Sequence, residues 1–268
     1  MKSSFGSKWI GKSALITGAS SGIGAATAYR LAQAGLRLIL VARRGDRLQE
    51  VADKIIASGG EAQVIVADLT NAPDRQEVYE QVSSQLGGAD ILINNAGFGW
   101  YGYGEAMSWD TALEMVEVNI SAVVHLTLLF LKKMRERGIG HIINIGSISG
   151  ELPSQGIALY GATKSFLNNF TTALYRELTG TPLHVSVVRA GPVLTEFSHA
   201  AAKKPGGFHL PTERIGVTPE KVADQIWKLI QRPRRAIYIP AYLALTPWIE
   251  AYFGWLIDRL GPLLLRRI

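Results

Sequence analysis

The sequence contains no cysteine among its 268 residues. This absence excludes disulfide bonds, thiolate metal sites and cysteine nucleophiles, and it suits a reducing compartment. The five histidines share no metal-ligand spacing, so no metal site is predicted. The first residues also lack the uninterrupted apolar segment and the cleavage site of a secretory signal. We therefore expect a cytoplasmic protein.

Charge is sparse and has no long run of one sign. Charged residues make up 19% of the chain and hydrophobic residues 47%, without any low-complexity tract, so a packed core is expected. The net charge is +6, which could suggest nucleic acid. The basic residues, however, are dispersed or form only short pairs: Arg43-Arg44, Lys203-Lys204, Arg234-Arg235 and Arg266-Arg267. We do not expect nucleic-acid binding.

Short runs of Val, Ile and Leu alternate with segments of helical periodicity along most of the chain. The predicted strands are 13–17, 36–42, 62–69, 89–95, 141–147, 183–190 and 235–240, and the predicted helices are 23–34, 46–58, 74–86, 109–137, 159–178 and 219–231. Alternation of this kind predicts an α/β fold, a doubly wound parallel sheet with helices on both faces. Residues 1–240 would form a single domain, and its ligands would bind at the carboxyl ends of the strands.

The first predicted strand runs into a glycine-rich turn, "TGASSGIG", at residues 17–24. Gly18, Gly22 and Gly24 would let the backbone approach a pyrophosphate at the start of the following helix, with Ser20, Ser21 and Ile23 beside it. The spacing differs from the standard G-x-G-x-x-G fingerprint. The alternative reading is a tight connection from strand to helix.

The second predicted strand ends at Ala42 and is followed by Arg43 and Arg44. A ribose 2′-hydroxyl would require an acidic residue here, whereas guanidinium groups suit a 2′-phosphate. The sequence therefore favours NADP(H) over NAD(H). The alternative is that both arginines are solvated and do not contact the cofactor, in which case the enzyme would be NAD-linked.

Polar residues also follow the third and fourth predicted strands. Asp68, with Leu69, could accept a hydrogen bond from an adenine amino group, and Asn95, Ala96 and Gly97 belong to the segment "NNAG". Each has a structural alternative, an Asx turn or an amide that stabilises a strand. Their coincidence at successive strand ends favours a nucleotide cofactor.

Three further features carry the candidate chemistry. Asn119 lies within an apolar helical segment, where an amide is unfavourable unless it is hydrogen-bonded. Ser147 ends the fifth predicted strand, and Tyr160 and Lys164 lie one helical turn apart in "YGATK". A tyrosine hydroxyl has a pKa of about 10, which a nearby ammonium would lower toward a useful acid–base range.

Together these motifs resemble the short-chain dehydrogenase/reductase family, from about Lys12 to Tyr238. The resemblance implies a Rossmann-like fold and a homodimer or homotetramer. It also implies that Tyr160 exchanges a proton with the substrate and that Ser147 holds the substrate oxygen. Lys164 would lower the pKa of the tyrosine and bind the nicotinamide ribose. Asn119 would hold a water molecule of the proton relay. In "RAGPVLTEF", the residues Gly191, Val193 and Thr195 match the segment that family members place against the nicotinamide. Ala190 stands where the family often has proline, and the cofactor assignment of this segment is kept.

The substrate is indicated by an aromatic segment at 97–108, from which Phe98 and Trp100 are predicted to contact it. A loop over residues 198–216 should cover the site. The aromatic mouth suggests an apolar carbonyl compound, although aromatic packing alone is the alternative. We predict an NADP(H)-dependent oxidoreductase that interconverts a carbonyl and a secondary alcohol. The alternatives are an NAD-linked dehydrogenase and an NADPH-binding sensor or scaffold with little turnover.

Residues 241–268 form an apolar extension, predicted to be an amphipathic helix between Pro247 and Leu260. The acidic residues within it and the Gly261-Pro262 break argue against a membrane span. Two roles stay open: a helix docked over the pocket or on a partner subunit, and a peripheral membrane anchor ending in Arg266-Arg267. An anchor would suggest a lipid-like substrate.

Overall fold

The computed structural model describes residues 7–208 and 216–264. Its strands are β1 (Ser13–Thr17), β2 (Arg37–Ala42), β3 (Glu61–Val66), β4 (Ile91–Asn94), β5 (Gly140–Ser147), β6 (Leu183–Ala190) and β7 (Ala236–Ile239). They pair in parallel in the order β3-β2-β1-β4-β5-β6-β7. The order reverses beside β1, so the crevice between β1 and β4 is where such a sheet binds its ligand.

Helices cover both faces of the sheet. They are α1 (Gly22–Gln33), α2 (Gly45–Ala57), α3 (Ala72–Leu86), α4 (Trp109–Val116), α5 (Ala122–Arg137), α6 (Ala158–Glu177), α7 (Phe197–Ala202), α8 (Pro219–Gln231) and α9 (Thr246–Leu264). Residues of α1, α2 and α8 share one buried cluster with alternate strand residues, and those of α3, α5 and α6 share a second cluster. Within β1, for example, Ile16 packs in the first cluster and Leu15 in the second, as side-chain alternation requires. The predicted doubly wound fold is confirmed.

The predicted helix 109–137 is continuous but contains a π-helical turn, Glu117–Ser121, between α4 and α5. By length and apolar composition this stretch could cross a membrane. Its residues Leu126, Phe130 and Met134 are instead buried in the core against the sheet. We therefore describe it as a core helix.

The predicted strand 62–69 is shorter in the structure and ends at Val66. Asp68 accepts hydrogen bonds from the backbone and hydroxyl of Thr70, which turns the chain. The strand predicted at 89–95 spans only Ile91–Asn94. Both differences lie at strand ends, where side-chain hydrogen bonds compete with strand pairing.

Candidate active site

The carboxyl ends of β1, β2, β4, β5 and β6 surround an open cavity of about 520 Å³. Every residue that the sequence assigned to the cofactor lines this cavity except Gly24: Gly18, Ser20, Ser21, Gly22, Ile23, Arg43, Arg44, Asp68, Leu69, Asn95, Ala96, Gly97, Tyr160, Lys164, Gly191, Val193 and Thr195. Ser147 and Phe98 line it too. The structure thus brings together motifs that are far apart in the chain.

The glycine-rich turn needs its glycines for two different reasons. Gly18 and Gly22 have φ angles of +64° and +56°, in the left-handed region that favours glycine. Gly24 is buried, and a Cβ there would lie 2.3 Å from the carbonyl oxygen of Gly18. Gly24 therefore lets α1 begin close against the turn, and its assignment as a cofactor contact stays a prediction.

Asn95, which directly follows β4, is hydrogen-bonded to the glycine-rich turn that follows β1. Its side-chain amide donates to the carbonyl oxygens of Thr17 at 2.9 Å and Gly18 at 3.2 Å. The Thr17 hydroxyl in turn accepts from the backbone amides of Asn95 and Ala96. The amide therefore stabilises the shape of the cavity wall, as well as lining it.

The two arginines after β2 have different partners. Arg44 donates to the hydroxyls of Ser21 at 2.7 Å and Ser20 at 3.2 Å, so its guanidinium lies against the glycine-rich turn. Arg43 donates to Glu114 at 3.2 Å and lies 3.7 Å from the Asp68 carboxylate. Arg44 is thus the better placed of the two to bind an anion beside the turn.

Asp68 both lines the cavity and forms the turn after β3. Burial alone would raise the pKa of its carboxyl, but hydrogen bonds from Thr70 and the charge of Arg43 hold that pKa below its usual value. Asp68 therefore combines the two positions that the sequence offered as alternatives: it forms an Asx turn and it also faces the cavity.

Ser147, Tyr160 and Lys164 are buried together at the end of β5 and the start of α6. The Tyr160 hydroxyl is hydrogen-bonded to Ser147, whose Oγ also accepts from the backbone amide of Ser149. The ammonium of Lys164 donates to the carbonyl oxygen of Ile145 at 2.8 Å. A hydroxyl, a phenol and an ammonium therefore converge on one wall of the cavity.

Burial controls the pKa values of this pair. It raises the pKa of Tyr160 to about 12, although the hydrogen bond with Ser147 acts in the opposite direction. It also lowers the pKa of Lys164 to about 8, because the charged ammonium loses its hydration. Burial thus dominates the pKa of Tyr160, and the lowering of that pKa by Lys164 stays a prediction.

Asn119 lies in the π-helical turn, where an additional residue locally changes the helical register. Its side-chain amide donates to the Phe98 carbonyl at 3.0 Å and the Thr163 hydroxyl at 3.1 Å, and its oxygen accepts from the Phe98 amide at 3.1 Å. The amide is thus satisfied, as a buried polar group should be. It lies outside the cavity lining and joins the aromatic segment to α6.

Trp100, predicted from the sequence to contact the substrate, lies outside the cavity lining of the described residues. Its ring is buried, and its Nε1 donates to the carbonyl of Pro205 at 3.1 Å. Tyr101 lines the cavity instead, with its ring edge-on to Tyr160. Neighbouring aromatic positions cannot be distinguished in the sequence without the backbone course.

The segment predicted to cover the site begins with α7 and packs across the cavity mouth. Phe197 lines the cavity, and its ring centre lies 5.7 Å from that of Tyr160. Lys204 donates to Glu114 and lies over the Phe98 ring. Residues 209–215 of the predicted loop lie outside the described residues.

The sequence prediction did not name several cavity residues as site residues, namely Glu114, Ile157, Glu196 and Phe197. Glu196 and Phe197 end the segment 189–197, in which Gly191, Val193 and Thr195 were assigned to the cofactor, so their position was the available signal. Glu114 gave no signal, because one acidic residue on a helix is normally solvated.

Comparison with known proteins identifies the family. The family model described as short chain dehydrogenase matches residues 12–206. The chain belongs to this family. One relative, NADP-dependent 3-hydroxy acid dehydrogenase YdfG of Shigella flexneri, is 33% identical over 253 residues, which cover 91% of this chain and 98% of the relative.

Solved structures of short-chain dehydrogenases have the same fold. A short-chain dehydrogenase from Sphingobium yanoikuyae in complex with NADPH is 30% identical, with a TM-score of 0.80 over 96% of this chain and 97% of that chain. A short-chain dehydrogenase/reductase from Burkholderia phymatum in complex with NAD is 26% identical, with a TM-score of 0.83 over 92% of this chain and 96% of that chain. The family assignment and the prediction of a dinucleotide-dependent oxidoreductase are confirmed.

Proposed function

We propose that this short-chain dehydrogenase interconverts a carbonyl and a secondary alcohol on an apolar substrate, with NADP(H) as its cofactor. The observation that carries the proposal is the convergence of Ser147, Tyr160 and Lys164 on one wall of the cavity. Hydrogen-bonding groups that face a carbonyl oxygen can stabilise the charge that develops on it. A binding protein without turnover would not require this group of side chains.

The residues around the cavity fit a dinucleotide. A Cβ on Gly18 would lie 2.8 Å from the Ala96 Cα, and one on Gly22 would lie 3.1 Å from the Thr195 side chain, so glycine keeps this cradle open. The start of α1 lies behind the cradle and favours a pyrophosphate. Arg44, with the hydroxyls of Ser20 and Ser21, would bind the 2′-phosphate.

NADP(H) is favoured over NAD(H) by these arginine and serine groups, and the comparisons support the preference. The YdfG relative is named NADP-dependent, and the Sphingobium yanoikuyae structure contains NADPH. The Burkholderia phymatum structure contains NAD, so the NAD-linked alternative has a related precedent.

In the proposed reduction, Tyr160 donates the proton of its hydroxyl to the substrate oxygen, and Ser147 donates a hydrogen bond to the same atom. Lys164 would bind the nicotinamide ribose and stabilise the phenolate by its charge. Asn119 fixes the segment that contains Phe98 against α6. When bound, the nicotinamide supplies the hydride for reduction or accepts it in oxidation.

An apolar substrate is supported by the side chains at the open part of the cavity. Phe98, Tyr101, Val118, Ile157 and Phe197 line it there. Binding pockets of this kind bury apolar substrate surface, while a few polar groups fix its orientation.

The test is a Tyr160→Phe variant, assayed for NADPH oxidation with a panel of apolar ketones and aldehydes. We expect turnover to fall by about 100-fold or more, because the proton donor is lost, while NADPH binding is retained. Tyr175→Phe is the control, because Tyr175 is exposed on the same helix. Unchanged turnover in Tyr160→Phe would contradict the mechanism, and NADPH binding without turnover on any substrate would favour the sensor alternative.

We further propose a homodimer or homotetramer. Leu113 on α4, Leu128 on α5 and Phe166 and Tyr175 on α6 are exposed apolar residues on helices of one face of the sheet. Exposed apolar surface of this kind is typical of interfaces between subunits. Sedimentation equilibrium would test the proposal, and Phe166→Glu should shift the mass toward the monomer.

Residues 241–268 would be an extension of the domain formed by 1–240. No described residue of α9 lines the cavity, which argues against docking over the pocket of its own subunit. Trp248, Tyr252 and Trp255 are exposed on α9, and this supports a contact with a partner subunit or a membrane surface. The pair Arg266-Arg267 lies outside the described residues. Cosedimentation with liposomes that is lost on removal of 241–268 would support the membrane contact and a location at a membrane within the cytoplasm.

A further inference from the structure

A carboxylate of the protein itself occupies the arginine site beside the glycine-rich turn. Both Glu196 oxygens accept hydrogen bonds from Arg47, at 2.9 and 2.8 Å, and one also accepts from Arg44 at 3.3 Å. The second amino group of Arg44 donates to Ser20 and Ser21. Glu196 therefore lies where two guanidinium groups and the serine-rich turn meet.

This ion-pair cluster joins two distant parts of the chain. Arg44 and Arg47 lie at the start of α2, whereas Glu196 lies 152 and 149 residues away from them, directly before α7. The side chain of Arg44 is 44% exposed, that of Arg47 is 43% exposed and that of Glu196 is 59% exposed. Exposed ion pairs contribute little to stability, so an incoming anion can replace this carboxylate.

A ribose 2′-phosphate carries up to two negative charges and requires the same N–H donors. The hydrogen bonds from Arg47 and then Arg44 hold the pKa of Glu196 below its usual value, so this residue is ionised at neutral pH. A phosphate and the Glu196 carboxylate in the same place would repel each other. One of the two must leave when the other binds.

We infer that Glu196 is a specificity-determining residue that competes with the 2′-phosphate of the cofactor for Arg44 and Arg47. This inference rests on the proposed use of NADP(H). It assigns Arg47, which the sequence did not indicate, to the same phosphate site. Competition lowers the affinity for a 2′-phosphorylated cofactor and leaves the affinity for NAD(H) nearly unchanged.

Glu196 also lies close in the chain to the proposed active site. Glu196 directly precedes Phe197, whose ring lies against that of the Tyr160 phenol. Glu196 is therefore one residue from a side chain that packs on the proposed proton donor.

The test compares Glu196→Gln with the wild type by calorimetric titration of two fragments, adenosine 2′,5′-bisphosphate and adenosine 5′-monophosphate. These fragments differ only in the 2′-phosphate, and neither undergoes turnover. We expect Glu196→Gln to bind the bisphosphate about three- to tenfold more tightly, in line with the loss of its two exposed ion pairs. Binding of the monophosphate should stay the same. Glu220→Gln is the control, because Glu220 is an exposed carboxylate in the groove next to Glu196.

Thermal unfolding of the protein alone gives a second measurement. Glu196→Gln should melt slightly below the wild type because it loses its ion pairs, even though it binds the bisphosphate more tightly. A residue with only a structural role would lower both stability and affinity, and that result would overturn the inference.

Three other outcomes have clear meanings. An equal gain in Glu220→Gln would assign the effect to overall charge and overturn the inference. If the wild type prefers the bisphosphate but Glu196→Gln shows no gain, the competition is overturned while NADP(H) use stands. If the wild type does not prefer the bisphosphate, both the cofactor proposal and the inference fail.

Discussion

The ammonium of Lys164 lies 5.8 Å from the centre of the Tyr160 ring, and both side chains are buried. Burial moves their pKa values in opposite directions, down to about 8 for the lysine and up to about 12 for the tyrosine. Two groups this close titrate as a pair. The first proton therefore leaves the pair near pH 8.

The pH dependence of the reaction rate should change where the Tyr160–Lys164 pair loses its first proton. Below about pH 8 the pair is fully protonated and suited to proton donation, and above it the pair can accept a proton. We expect kcat/KM for alcohol oxidation to rise through about pH 8. Profiles measured between about pH 6 and 10 would check this. Lys164→Met should remove the step near pH 8, and a flat wild-type profile would contradict the assignment.

Arg44→Ala should weaken NADPH binding more than Arg43→Ala does. Arg44 contacts the serine hydroxyls of the glycine-rich turn, whereas Arg43 is held by Glu114 and Asp68. We expect a loss of about 10- to 100-fold for Arg44→Ala, the contribution of a charge-assisted hydrogen bond. Titration of cofactor fluorescence would measure it, with NADH as the control. Equal losses in the two variants would contradict the distinction.

Gly24→Ala should destabilise the fold. Its Cβ would lie 2.3 Å from the Gly18 carbonyl oxygen and 2.6 Å from the Asn95 side-chain nitrogen, so α1 or the turn must move. We expect the free energy of unfolding to fall by about 1 to 3 kcal/mol or more, the usual cost of overpacking. Urea unfolding would measure this loss. Gly104→Ala is the matched control, because its Cβ would have no heavy atom within 4 Å, and an equal loss there would contradict the steric argument.

His141 should make the protein sensitive to acid. Its ring is buried against His184 and Ser186, and burial lowers its pKa to about 3. The unfolded chain binds this proton below about pH 6.5, whereas the folded protein does not until about pH 3. Stability is therefore lost as the pH falls through this window, by up to about 1.4 kcal/mol per pH unit.

The measurement for His141 is urea unfolding at a series of pH values between about 7.5 and 4. His141→Gln should show a smaller fall in stability over this range, because the titrating group is gone. Comparison of the two proteins at about pH 7.5, where the histidine is neutral in both states, separates the loss of packing from the loss of titration. Parallel pH dependences would contradict the prediction.

The sequence predicted the strands and the residues at their carboxyl ends because both depend on local patterns. Buried parallel strands appear as apolar runs, and parallel strands end at the same edge, so Gly18, Asp68, Asn95 and Ser147 were expected near one another. Helical spacing placed Tyr160 and Lys164 on one face of a helix, and the resemblance to the family implied their roles. These features required no knowledge of how loops pack.

What the sequence could not predict depends on contacts between distant segments. The pairing of Glu196 with Arg44 and Arg47 joins parts of the chain that share no local pattern. The π-helical turn at Asn119 arises within an otherwise regular apolar periodicity. The burial that raises the pKa of Tyr160 could not be read from the sequence either, because only the nearby lysine is visible there.

The aromatic face of α9 gives the protein an internal optical probe. Of its six tryptophans, Trp9, Trp100 and Trp227 are buried, while Trp109, Trp248 and Trp255 are exposed. Two of the three solvent-exposed tryptophans, whose fluorescence reports a water environment, therefore lie on α9. The ring of one of them, Trp248, is stacked on Tyr252. Any surface that covers this helix, whether lipid or protein, would shift the emission of the whole chain toward the blue without a label being attached.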